Sequence, residues 1–447
     1  MQDWLEKDLT YNWHPYTQML NLRDNPPLLI TRVAGRYLYD ADGKAYYDSN
    51  SSWWCNVHGH CHPAIREAVE KQMRTLDHIM FGAIAHTPAI ELAEKLVSIT
   101  PPGLDRVFYS DNGSTAVEVA LKMSVQYWRN TGNSRKCRII SLDAGYHGDT
   151  IGCMSVSNVE LFRGAFDPLM FQAITAPTPH CDDCALPCKN KSFGRLHWDT
   201  DDENPPCVAS MERLLINDAD VTAAIILEPL LMGAGGMLIY PPAYLRGVAQ
   251  LAMKYNVHLI LDEVATGFGR TGKMFACEYA GITPDFMCLS KGLTGGTMPL
   301  AATMTTETVY EGFLSTDSSK TFFHGHTYTA NPIGCAVALA SLQLFEDDNL
   351  LGNVNTLTPL LLQKMQTFAD IPIIKNIRAI GTVTAFDVIH PDYAELLKKI
   401  YRAGLANGLI MRPMGKASYL FLPQSATIDE VEMVFEKLDG IYREILK

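Results

Sequence analysis

The stretch 257-VHLILDEVATGFGRTGKMFACEYAGITPDFMCLSKGLTGGTMPL-300 decides how the rest of the chain is read. It opens with a mostly apolar run, Val257–Leu261, that ends at the carboxylate pair Asp262 and Glu263. A second short run, Phe286–Leu289, delivers Ser290 and Lys291 into a glycine-rich turn. Short apolar runs bounded by turn residues suggest buried parallel strands, although periodicity alone also admits helix. In open α/β sheets the working groups lie beyond the carboxyl ends of the strands, so Asp262 and Lys291 are expected on one side of the sheet.

A lysine able to form a Schiff base, facing an aspartate able to hold a pyridinium nitrogen, is the pair that pyridoxal phosphate (PLP) requires. Two such residues alone are more often surface charges, so the surrounding chain has to decide. The hexapeptide Gly267-Phe268-Gly269-Arg270-Thr271-Gly272 matches GxGxxG, yet five residues separate it from its strand and no helical pattern follows. Those departures argue against a dinucleotide site.

The chain has 447 residues, which favours a large α/β domain plus a smaller one. Hydrophobic residues make up 47% and charged residues 19%, enough for a sizeable core. A net charge of −12 argues against a nucleic-acid-binding surface. The most apolar segment, Val221–Leu245, contains Glu228, several glycines and three prolines, and reads as core, not as a membrane span. The start has neither a basic n-region nor an apolar h-region, and eleven scattered cysteines read as reduced thiols. A cytoplasmic enzyme is expected.

From the start, HPYTQM at 14–19 is an aromatic segment in which Tyr16 packs against its own body or a partner. Asp40-Ala41-Asp42-Gly43 between β-rich flanks signals a hairpin. In SNSSWWCNVHGHCHP (49–63) the adjacent tryptophans cannot both be buried by one period, so one is expected to face a pocket. His58, His60, Cys61 and His62 lack the spacing of a zinc site, and no metal is expected there. Residues 64–75 and 87–99 have helical spacing. A strand at Arg106–Ser110 runs into Asp111-Asn112-Gly113-Ser114-Thr115 and then a helix. That turn is either an anion site or a helix capped by Ser114 or Thr115.

The strand Cys137–Leu142 leads to Tyr146 between glycines, an aromatic that can lie over a planar ring or simply occupy a turn. Residues 176–207 are the least globular part, with Cys181, Cys184, Cys188 and Cys207. An insertion with free thiols is favoured there over a metal site, which stays open. Strand 223–227 ends at Glu228. Further on, Thr327 precedes a helix punctuated by Pro332, as a phosphate donor or as a cap. From there to the C-terminus the chain turns to charged amphipathic helices with short strands. Arg412 ends a β-like run, and arginine suits bidentate carboxylate binding.

Taken in order, LDEVATGFGRTG, SKGLTGG, EPL, the D-x-G-S turn before a helix, GYHG and HGHTYTANP resemble the class III (omega-type) PLP-dependent aminotransferases over nearly the whole chain. The resemblance implies fold type I: a large domain with a mainly parallel sheet flanked by helices, plus a smaller α+β domain. On this division residues 1–65 contribute to the small domain and the active site. Residues 66–335 form the PLP-binding domain, with the cysteine insertion at about 176–207. Residues 336–447 form the small domain.

It further implies that Lys291 holds the cofactor and moves the proton, and that Asp262 keeps the pyridine nitrogen protonated. Gly113 and Ser114 would take the phosphate, with His326 and Thr327 arriving from the second subunit of a homodimer. Tyr146 would stack on the ring. Tyr16, Trp53, Gly325 and Arg412 would line the substrate site, Arg412 taking the carboxylate of a keto acid and Arg270 lying close by. The partners are then small molecules, a keto-acid acceptor and an amino donor. His326 stands where many family members carry proline, which leaves the donor open. An omega-aminotransferase acting on a diamine, ornithine or 4-aminobutyrate is the alternative.

Overall fold

The structure, a computed structural model, describes residues 2–179 and 205–446. Near the N-terminus β1 (Ile30–Ala34), β2 (Tyr37–Asp40) and β3 (Ala45–Tyr47) form an antiparallel sheet. The expected hairpin joins β2 to β3, and Asp40 Oδ1 accepts from the amides of Asp42 and Lys44 (3.0 and 2.9 Å).

The body of the chain supplies β4 (Arg106–Ser110), β5 (Arg138–Leu142), β6 (Ile174–Ala176) and β7 (Thr222–Leu227). A two-stranded ribbon follows, β8 (Leu231–Met232) with β9 (Leu238–Ile239), then β10 (His258–Asp262), β11 (Phe286–Leu289) and β12 (Ala301–Thr305). Seven of these make one sheet in the order β4-β12-β11-β10-β7-β5-β6. Every pair is parallel except the two made by β12, which runs against both β11 and β4.

The continuous apolar runs have a direct cause: β7, β10 and β11 are buried at every position. Ile225, Leu227, Leu259, Leu261, Met287 and Leu289 fill the core on one face, with helices Pro242–Lys254 and Thr87–Ile99. Ala224, Ile226, Ile260, Phe286 and Cys288 fill the other, with helix Gly113–Asn130. Two buried faces remove the alternation that a half-exposed strand would show.

The small domain has the antiparallel sheet β13 (Ile374–Ile380), β14 (Val383–Val388) and β15 (Ala417–Phe421). Helices Leu350–Gln366, Tyr393–Ala406 and Ile428–Ile445 accompany it, the last opened by a Thr427–Glu430 capping box. Tyr47 from β3 enters this core and pairs with the backbone of Gly408 and Ile410. Helix Pro332–Asp347 crosses the expected boundary at 335/336: Cys335, Ala338, Leu342 and Phe345 pack in the large core, while the small core takes up side chains from Leu357 onward. Cys181, Cys184 and Cys188 lie outside the described residues. Cys207 precedes helix Val208–Asp218.

Candidate active site

The carboxyl ends of β4, β5, β7, β10 and β11 share one edge, and the loops leaving them enclose a cavity of 680 Å³. Register explains how Asp262 and Lys291 meet there. Asp262 is the last residue of β10 and pairs with Cys288, three residues before Lys291. Asp262 is 5% exposed; its Oδ2 lies 2.8 Å from His147 Nδ1, and its Oδ1 accepts from the Val264 amide. Lys291 begins a short 3-10 turn at φ +45°, and its Nζ stands 4.7 Å over the Trp54 ring. Burial pushes the Lys291 ammonium below the ordinary lysine range, with Arg270 adding to the effect. A lysine shifted this way more readily offers the neutral amine that covalent chemistry needs.

At the end of β4 the helix Gly113–Asn130 is capped by Asn112, not by Ser114 or Thr115. Asn112 Oδ1 accepts from the Thr115 amide, and the Thr115 hydroxyl closes a capping box. The next amide, Ala116, is taken by the Asn112 carbonyl. That leaves the Gly113 and Ser114 amides, which helix geometry deprives of an internal acceptor, at the cavity wall. A Cβ on Gly113 would meet Val264 at 2.6 Å, and one on Gly148 would meet Ser114 Oγ at 2.0 Å. The cradle is therefore closed to larger residues. Two free amides at a helix start, a shifted lysine and a buried carboxylate, in one cavity, fit the phosphate, aldehyde and ring nitrogen of PLP.

The loop after β5 adds Tyr146. Its hydroxyl lies 3.0 Å from Asp149 Oδ1 and 3.1 Å from the Tyr16 hydroxyl, which itself donates to Asp149 Oδ2. Burial, then the Asp149 carboxylate, raises the Tyr16 phenol to about 12. Glu228, at the end of β7, accepts the amides of Tyr146 and Gly233 (both 3.0 Å), and burial raises it to about 7.

Other expected residues lie elsewhere. Arg270 is 1% exposed; its guanidinium donates to Thr382 Oγ1 (2.9 Å) and to the Leu422 carbonyl, and lies over the Phe421 ring. It does not line the cavity wall, although its charge reaches Lys291 there; burial lowers it to about 9. Of the tryptophans, Trp54 lines the cavity. Trp53 is 43% exposed outside it, under Arg412 (4.6 Å) and 5.8 Å from the Tyr16 ring. Gly325 and Thr327 are exposed and, with His326, do not line their own chain's cavity. His326 Nδ1 sits 3.0 Å from Asp111 Oδ2. Asn331, not Thr327, caps helix Pro332–Asp347.

His58 engages Ser341 and His60 engages Asp48; among the described residues no group of three or more His, Cys, Asp or Glu is placed to hold a metal. Also among them, no helix is long and apolar enough to cross a membrane. Sequence reading expected one of the two tryptophans at a pocket without saying it was Trp54, and gave no role to His147, Asp149 or Glu228. The signals for them were position just beyond a strand end and, for His147 and Glu228, membership of GYHG and EPL.

This edge-loop cavity, with its lysine and carboxylate on adjacent parallel strands, has the layout of fold type I enzymes. The chain belongs to the class-III aminotransferase family, which residues 19–441 match, and is a PLP-dependent aminotransferase. It is 42% identical to the adenosylmethionine-8-amino-7-oxononanoate aminotransferase of Geobacter sulfurreducens, over 98% of this chain and 96% of that one. The crystal structure of the Methanocaldococcus jannaschii protein of that name matches with a TM-score of 0.92 and 38% identity, covering all of both chains. An omega transaminase from Pseudomonas jessenii in complex with PMP matches at 0.90 and 30%, over 99% of this chain and 98% of that one.

Proposed function

We propose that this chain aminates 8-amino-7-oxononanoate to 7,8-diaminononanoate, a step of biotin synthesis, with S-adenosylmethionine as amino donor. The observation that carries this reading is that relatives from bacteria and an archaeon, matched over nearly the whole of this chain, bear that acceptor and donor in their names.

When bound, PLP supplies a carbonyl that takes the amino group from the donor and a ring that absorbs electrons during the proton shift. In this reading Lys291 holds the cofactor and, once released, moves a proton at the reacting carbon. Asp262, kept in place by His147, holds the ring nitrogen in its protonated form. Gly113 and Ser114 bind the phosphate through their amides and the Ser114 hydroxyl. Tyr146 lies against the ring, and Asp149 fixes its hydroxyl together with that of Tyr16. Arg412 takes the acceptor's carboxylate at the outer end, beside Trp53 and Tyr16. The working form is a homodimer: Gly325 and Thr327, exposed and outside their own cavity's lining, serve with His326 the site of the second copy.

The domain division proposed with it keeps residues 66–335 as the cofactor-binding body and 1–65 with 336–447 as the smaller part, helix Pro332–Asp347 spanning the boundary with its apolar face in the large core. The test is direct. Purified holoenzyme is given 8-amino-7-oxononanoate with S-adenosylmethionine or with lysine, and the diamine is measured by mass spectrometry. Diamine with S-adenosylmethionine is expected; diamine with lysine alone would overturn the donor, and none with either would overturn the acceptor.

A further inference from the structure

Residues Ser51–Trp54 form one turn of left-handed helix. Their φ values are +48°, +44°, +66° and +72°, and the amides of Trp54 and Cys55 donate to the carbonyls of Asn50 and Ser51, four residues back (3.0 and 2.9 Å). None of the four is glycine. Each Cβ is therefore crowded against its own backbone, and such a run persists only where its surroundings hold it.

The holding groups Asp48 and Ser51 are buried, and His60 is partly so. Asp48, 1% exposed, accepts the Ser52 amide on Oδ1 (3.0 Å) and the Ser52 hydroxyl on Oδ2 (2.7 Å). His60 Nε2 lies 2.9 Å from the same Oδ2. On the other side the Ser51 hydroxyl donates to the Phe421 carbonyl of β15 (2.6 Å). The result is two consecutive tryptophans serving two different cations: Trp54 lies under Lys291, and Trp53 under Arg412. Trp54 is further fixed by stacking on Phe421 and by its Nε1 donating to the Tyr419 hydroxyl (3.2 Å).

We propose that Asp48, braced by His60, is a positioning residue for the amination site: it holds the left-handed turn that presents Trp54 to Lys291 and Trp53 to Arg412. Asp48 touches neither cofactor nor substrate and acts through Ser52. The proposal rests on the reading of Trp53 and Arg412 as the acceptor wall.

The test compares Asp48→Asn with Asp48→Asn/Ser52→Gly as holoenzymes, following KM and kcat for the acceptor and the near-ultraviolet circular dichroism of the tryptophans. Asparagine turns one acceptor oxygen into a donor that faces Ser52 and His60. KM is expected to rise roughly tenfold, the scale of one hydrogen bond to a charged group, with kcat nearly unchanged and the tryptophan spectrum altered. Glycine at 52 adopts positive φ without strain, so the double variant should recover both KM and spectrum at least in part. An unchanged KM and spectrum in Asp48→Asn would overturn the proposal. So would a loss that glycine does not relieve, because that marks Asp48 as merely structural. If Asp48→Asn fails to fold, Ser52→Ala removes only the hydroxyl contact and must move KM and spectrum the same way by less; no movement overturns the proposal. Should the wild type not aminate this acceptor, the functional reading fails, while the spectrum and its rescue by glycine still decide whether Asp48 holds the turn.

Discussion

His147 Nδ1 lies 2.8 Å from Asp262 Oδ2, with both side chains buried. The contact leaves the aspartate's other oxygen to the Val264 amide and fixes the plane of the carboxylate. Asp262→Asn removes the charge that would keep a ring nitrogen protonated, while filling the same space. Turnover should fall at least about 100-fold, or about 2.7 kcal/mol, with PLP still bound by its absorbance. His147→Ala removes only the orienting partner and should cost about 10-fold. Equal losses in the two variants would contradict this division of labour.

Asp149 joins two phenols, Tyr16 and Tyr146, that are 130 residues apart in the chain. Tyr16→Phe is expected to raise KM for the acceptor about 5- to 10-fold, the scale of one lost hydrogen bond, with little change in kcat. Because the Tyr16 phenol is raised to about 12, the effect should be constant from pH 7 to 10. A Tyr16→Phe effect that vanished toward pH 10 would instead point to an ionising phenol.

The sheet edge and its two central groups were legible because they depend on local sequence. Buried strands give apolar runs, and the runs end at Asp262 and Lys291 whatever the rest of the chain does. The hydrogen-bond partners of Arg270 were not legible for a physical reason: its motif says nothing about the carbonyl of Leu422 or the ring of Phe421, distant in the chain, which enclose it. Trp53 and Trp54 were seen as a pair, but which one faces the cavity depends on a left-handed turn that no periodicity signals. Asn112 was overlooked as a cap because Ser114 and Thr115, equally good cappers, stood beside it.

Arg378 and Asp387 form a buried ion pair (2.9 Å) that ties β13 to β14, and Arg378 also donates to the carbonyls of Gly236 and Met237 beside the β8–β9 ribbon. The pair thus fastens the small domain to the large one. Arg378→Met should destabilise by about 3 kcal/mol, because the carbonyls of Gly236, Met237 and Asn376 lose their donor while Asp387 keeps Asn376 and Lys416. Arg378→Lys should recover little, since an ammonium cannot reproduce the planar fork. Denaturant unfolding of the three proteins at pH 7 would measure this.

Burial lowers His58 and His258 to about 3 and raises Glu228 and Glu263 to about 7. For each histidine the unfolded chain takes the proton first, so its contribution is present above pH 6.5 and is lost as pH falls toward 3. Each glutamate works oppositely: its contribution is complete below pH 4.5 and is lost as pH rises through about 7. The two trends oppose each other between pH 4.5 and 6.5, and below 4.5 only the histidines of these four groups still titrate. His258→Gln, which retains a partner for Ser124, should therefore make the acid loss shallower by up to about 1.4 kcal/mol per pH unit. Urea midpoints from pH 3.5 to 8 give the slopes; parallel curves for variant and wild type would contradict the assignment.

Arg412 is exposed and rests 4.6 Å from the Trp53 ring, so the indole holds a guanidinium that no carboxylate of its own chain claims as an ion pair among the described residues. A cation parked on an aromatic face keeps its forked donors available, which is what recognition of an acceptor carboxylate needs. Arg412→Ala should raise KM for the acceptor roughly 10- to 100-fold, with the thermal midpoint unchanged. Arg412→Lys should recover only part, because the ammonium lacks the fork. Trp53→Ala should give a smaller rise, and in the double variant the two losses should fall short of additive by about 0.5–1 kcal/mol. Strict additivity would mean that the indole does not hold the arginine. An acceptor KM untouched by Arg412→Ala would move the carboxylate site elsewhere on the cavity rim.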